Sequence, residues 1–128
     1  MKERGKKFRL SERLESFRHA FRGILALISY EHNFRIHLVI LTAVILAGLC
    51  FGISVTDWLA IISVSALVLV SESFNSSVEY LSDALRPEPD ERIRNAKDIA
   101  AAAVLIAAIS SIITGLIIFV PEFKKLFD

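Results

Sequence analysis

The sequence predicts an all-α integral membrane protein, with an N-terminal amphipathic interfacial helix followed by three transmembrane helices. Three observations carry this. Apolar residues fill 54% of the 128 positions, and mean hydropathy is +0.54, whereas a soluble chain is roughly 45–50% apolar. Three apolar runs, taken with their flanks, are long enough to cross a hydrocarbon layer of ~30 Å. The 15 basic residues are unevenly placed: nine lie at 1–35, four at 86–97 and none at 51–85.

Residues 1–10 read as a basic tail suited to anionic headgroups. No nucleic-acid partner is expected, because no recognition module follows it. Residues 11–121 read as one membrane domain and 122–128 as a C-terminal tail. Ser11 suits an N-cap, with Glu12 in the first turn. Leu14, Phe17, Phe21, Ile24, Leu25 and Ile28 then recur at spacings of three and four, with Arg13, Glu15, Arg18, His19 and Arg22 on much of the other face. Such a helix can lie in a membrane interface. The basic region is too long, and the apolar run after it too extended, for a cleaved signal peptide.

The first span is expected at 34–55, with Arg35 and His37 snorkelling at one end. Asp57 then suits an N-cap, and Trp58 an interfacial anchor, for a second span at 58–85. The charged stretch Arg86-Pro-Glu-Pro-Asp90-Glu-Arg92 breaks the chain. A third helix starts near Ile93 or Arg94, with its span at 96–120; Ile99 to Val120 carries no charge, and Pro121 ends it. The basic N-terminal segment and the basic 86–97 loop fall on one side of a three-span chain, which is expected to be cytoplasmic. The one cysteine, Cys50, lies in an apolar run, so neither an internal disulfide nor a cysteine zinc site can form.

The chemistry is expected on Glu72 to Asp83. At ~100° per residue, Glu72, Asn75, Glu79 and Asp83 fall within ~80° on a helix. Three carboxylates and an amide on a membrane helix are costly unless they face protein, water or a cation. Glu31, before the first span, and Lys97-Asp98, opening the third helix, reach the same level. Oxygen ligands of this kind suit Mg²⁺. His32 and His37, five apart, make a poor ligand pair and suit interfacial anchoring instead. A lysine beside the carboxylates suits phosphate, and an unpaired glutamate suits a general base toward a hydroxyl. The set therefore points to phosphoryl transfer at a membrane surface, although no P-loop or protein-kinase motif is present. From the residues alone, a polar network that fixes helix packing and an ion or proton pathway stay open. A non-enzymatic scaffold or small transporter subunit is the alternative function.

Glu72-Ser-Phe-Asn75-Ser76-Ser77-Val78-Glu79, Asp83 and Asn95-Ala96-Lys97-Asp98 with its alanine-rich continuation resemble the prokaryotic diacylglycerol kinase family, which includes the undecaprenol kinases of Gram-positive bacteria. Ser16-Phe17-x-x-Ala20-x-x-Gly23 and Glu31-His-Asn33-Phe34-x-x-His37 extend the resemblance over about 11–121. It implies a homotrimer in the bacterial inner (cell) membrane, with sites shared between subunits at the cytoplasmic interface. It implies transfer of the γ-phosphoryl of MgATP to the hydroxyl of a membrane lipid, undecaprenol or diacylglycerol. By the same resemblance Glu72 is the general base and Asn75 orients the site. Glu31 and Glu79 hold the metal, and Lys97 and Asp98 meet the nucleotide. His19, Glu88 and Asp90 also fall at the nucleotide, and Arg13 near substrate. Ser77 departs from the family's usual alanine, and Ala101-Ala102 from a small-polar pairing. His32-Asn33-Phe34 and His37 favour the undecaprenol branch.

Overall fold

The structure, a computed structural model, describes residues 10–85 and 90–127 as four helices. α1 runs Leu10–Tyr30, α2 His32–Phe51, α3 Val55–Leu85 and α4 Glu91–Lys124. α2, α3 and α4 are each long and apolar enough to cross a membrane. At ~1.5 Å per residue they reach about 30, 46 and 51 Å. The basic tail at 1–9 and the loop at 86–89, Glu88 included, lie outside the described residues.

Several helix ends differ from the sequence expectation. Ser11 is inside α1, because leucine at position 10 is a strong helix former and does not stop it. α1 and α2 meet at Glu31 alone, whose extended backbone (φ −93°, ψ 110°) bends the chain. The apolar helix thus begins at His32, earlier than 34, and ends at Phe51 rather than 55. Gly52 stops it in the left-handed region (φ 63°), with its N–H donated to the Gly48 carbonyl, a conformation that glycine adopts without steric cost.

Asp57 is not the N-cap of α3. Ser54 is, and Asp57 answers it from the first turn. The Asp57 N–H donates to Ser54 Oγ at 3.2 Å, and Ser54 donates its N–H and Oγ–H to Asp57 Oδ2 at 3.2 and 2.6 Å. This reciprocal capping box uses a short acid three residues after the serine. α4 likewise begins at Glu91, ahead of Ile93, because Asp90 caps it by accepting the Arg92 N–H at 2.8 Å. Pro121 lies within α4 and does not end it; only one backbone donor is lost, and the chain completes a further turn to Lys124.

α3 and α4 pack most extensively, and α2 lies against α3. Trp58 folds over Gly48 of α2 at the turn end. Phe51 meets Phe119 and Phe123 of α4, with ring centroids 6.2 and 5.4 Å apart. Among the described residues the buried apolar set is only Phe34, Ile61, Val68, Ala107 and Ile118. A soluble chain of this length would bury far more. The apolar faces left over are those of a membrane protein. On α1, Leu14, Phe17, Phe21 and Leu25 are 62–67% exposed.

Candidate active site

Among the described residues the buried polar ones all come from one helix: Glu72, Asn75, Ser76 and Ser82 of α3. They continue the stripe that buries Ile61 and Val68 nearer the turn. The helical register that packs α3 as an apolar element therefore carries its carboxylates inward as the composition turns polar.

Glu72 is 3% exposed. Its Oε1 is buried without a hydrogen-bond partner. Across the α2–α3 contact, His37 Nε2 stands 3.6 Å from that oxygen, beyond hydrogen-bond length. His37 is therefore not a snorkelling anchor: its half-buried ring turns to Glu72, because the antiparallel hairpin sets positions 37 and 72 at one depth. His32 bonds Arg35 through Nδ1 at 3.3 Å on the helix surface. Glu31 and Glu79 also act on Glu72 electrostatically.

Asn75 and Glu79 are one turn apart, and the Asn75 amide donates to Glu79 Oε1 at 3.1 Å. This hydrogen bond leaves Asn75 Oδ1 buried and without a partner. Glu31 sits at the N-cap position of α2 but makes no side-chain cap. Its carboxylate lies instead in electrostatic reach of the Tyr80 hydroxyl of α3. Tyr80 and Glu31 thus place the α1–α2 bend beside the carboxylate stripe. Sequence reasoning passed over both Tyr80 and the facing role of His37. Counting outward from the Gly52–Ser54 turn sets 31 opposite 75 and 37 opposite 69, about a turn short of Tyr80 and of Glu72, so the count alone does not find them.

Asp83, the stripe's outermost member, pairs with Lys97 of α4 at 3.0 Å. The expected phosphate-binding lysine is therefore held at the mouth of the α3–α4 contact. Asp98 is exposed beside it on α4. Asp90 caps α4. His19 is exposed and lies 3.9 Å from Glu15 on its own helix; Arg13 is exposed in the first turns of α1. The structure thus gathers Glu31, His37, Glu72, Asn75, Glu79 and Tyr80 into one group and Asp83–Lys97 into a second. His19 of α1 pairs within its own helix and joins neither group.

Residues 18–119 match the family described as prokaryotic diacylglycerol kinase. The chain belongs to this family. It is 33% identical over 113 residues to an undecaprenol kinase of Bacillus subtilis, covering 88% of this chain and 92% of that protein. It is also 33% identical over 114 residues to a diacylglycerol kinase of Synechocystis, covering 88% of this chain and 65% of that longer protein. Membership in the diacylglycerol kinase family makes the chain a lipid kinase of the membrane, and phosphoryl transfer from ATP follows.

Proposed function

We propose that the chain transfers the γ-phosphoryl of ATP to the hydroxyl of undecaprenol, with Glu72 as the general base. The observation that carries this reading is the buried, unpartnered Oε1 of Glu72 in the α2–α3 seam. A carboxylate desolvated without a donor is costly, and it is a ready proton acceptor for a hydroxyl delivered from the bilayer. Glu72 takes the lipid hydroxyl proton as the new O–P bond forms, while the bond to the β-phosphate oxygen breaks and ADP leaves.

Glu31 and Glu79 supply hard oxygens within electrostatic reach of Glu72, a donor set that fits Mg²⁺. Among the described residues no three carboxylate, histidine or cysteine side chains converge as a metal site, so an ion held by Glu31 and Glu79 would need phosphate oxygens and water to complete its shell. Mg²⁺ held there supplies charge neutralisation to the phosphates. Asn75 fixes the Glu79 carboxylate, Lys97 exchanges Asp83 for phosphate, and Asp98, Asp90, Glu88 and His19 complete the nucleotide side. Arg13 meets the substrate headgroup.

α1 lies in the interface, and the basic end of the molecule faces the cytoplasm across the bacterial cell membrane. Three copies assemble, so that α1 of one supplies His19 and Arg13 to a neighbour's site. The sparse burial within one chain supports this. Undecaprenol is favoured over diacylglycerol by His32-Asn33-Phe34 and His37, and by the 92% coverage of the undecaprenol kinase.

The test is phosphoryl transfer from labelled ATP by the purified protein, with undecaprenol and diacylglycerol side by side. Glu72→Gln is expected to lower turnover by at least ~100-fold while assembly in detergent is unchanged. Wild-type rates in that variant refute the base assignment. Absence of any lipid product from the wild type returns the chain to a scaffold or transporter subunit.

A further inference from the structure

We propose that His37 is a positioning residue for Glu72, holding that carboxylate at the depth and orientation where a lipid hydroxyl reaches it. This rests on the reading of Glu72 as the base. Glu72 has few ways of being held. Its Oε1 has no hydrogen-bond partner, and the amide of Asn75, one turn away, is committed to Glu79. Glu31 and Glu79 press on it with like charge. The polar atom placed against Oε1 is Nε2 of His37, 3.6 Å away from the facing helix.

The ring is placed to hold. His37 is 21% exposed, and it stands at the rim of an otherwise largely apolar cavity of ≈ 60 Å³ lined by Ile40, Leu41, Val68 and Leu69. Ser65, Ser111 and Thr114 also line this cavity, but none of them hydrogen-bonds Glu72 Oε1, and the imidazole is the group that stands against it. A separation of 3.6 Å is itself informative. A few tenths of an ångström close it to a hydrogen bond, yet Oε1 keeps a lone pair open for a substrate hydroxyl. A saturated carboxylate would not.

The experiment compares wild type with His37→Leu and His37→Gln in the same lipid kinase assay, alongside the ¹⁵N resonances of labelled histidine. Misplacing a reacting group by ~1 Å costs on the order of 100-fold. His37→Leu is therefore expected to lower kcat ~10- to 100-fold, with half-saturation by lipid and by ATP within about twofold of wild type. His37→Gln, whose amide nitrogen can stand where Nε2 stands, is expected to recover most of the loss. The His37 imidazole resonance is expected to move in Glu72→Gln.

Unchanged kcat in an assembled His37→Leu protein overturns the inference, as does a rise confined to lipid half-saturation, which would make His37 a substrate contact. An unmoved imidazole resonance also overturns it. If His37→Leu fails to assemble, the glutamine variant and the resonance decide: both must behave as stated. A wild type that phosphorylates no lipid removes the kinase reading and this inference together. An active wild type with an unaffected His37→Leu removes this inference alone.

Discussion

Asn75→Ala tests the link between buried geometry and cofactor binding most directly. Asn75 is 8% exposed, and its amide donates at 3.1 Å to Glu79 Oε1. A hydrogen bond to a charged group is worth ~1.5–3 kcal/mol, which is ~10- to 150-fold at ~1.4 kcal/mol per decade. Loss of a group that orients a metal-binding carboxylate costs a similar ~10- to 100-fold in affinity. Half-saturation by MgATP should therefore rise ~10- to 100-fold in Asn75→Ala, with half-saturation by lipid little changed. Asn75→Asp should be worse, since it sets a second carboxylate one helical turn from Glu79. The assay is initial-rate lipid phosphorylation in mixed micelles with MgATP varied at saturating lipid. If an assembled Asn75→Ala protein keeps its MgATP half-saturation within twofold of wild type, Glu79 is not a cofactor ligand oriented by Asn75.

Two further perturbations address other parts of the chain. A Cβ on Gly48 would meet Trp58 Cη2 at 2.8 Å, Cζ2 at 2.9 Å and Ile53 Cδ1 at 3.0 Å. Gly48→Ala should cost about 1–3 kcal/mol from overpacking, read as a lower unfolding midpoint in detergent, and Trp58→Phe should recover part of it. The Asp83–Lys97 pair is partly exposed, at 74% and 37%. Asp83→Asn should change stability by less than ~1 kcal/mol, whereas Lys97→Met should raise half-saturation by ATP at least tenfold. Equal effects from the two would assign Lys97 to structure rather than phosphate.

The helices were legible because long uncharged runs admit no other solution in lipid, where every backbone group must be satisfied within the segment. Their ends were less so. Asp57 and Ser54 are both competent caps, and which one stands at the boundary depends on where Gly52 ends the preceding helix. Pro121 is a helix stop by habit, yet it fits within a helix that tolerates one missing donor. At the site, Glu72, Asn75 and Glu79 could be read together because they share one helix and obey one period. His37 and Tyr80 could not, because their roles depend on pairing between α2 and α3. Asp83 could be placed but not explained until α4 brought Lys97 to it.

With the roles proposed for Glu72, Glu79 and Lys97, the order of residues along α3 would match what phosphorylating a membrane alcohol demands. A hydrocarbon layer of ~30 Å takes up ~20 residues of helix. Counted from Val55, the start of α3, it ends near Phe74. α2, of the same thickness, starts at His32 beside that boundary. Glu72 is therefore the last stripe residue within the apolar layer, Glu79 lies a little outside it and Asp83 further out. Exposure follows the same order, from 3% at Glu72 through half-buried Glu79 to 74% for the Asp83 side chain. A lipid hydroxyl approaches from the deep end and a nucleotide from the shallow end. A base for the hydroxyl must then lie deepest, a carboxylate for the metal and phosphates must come next, and the lysine that receives phosphate must be outermost. On the proposed roles, the turns of α3 beyond the ~20 residues that cross the bilayer are what carry this sequence of depths, in a helix of 31 residues.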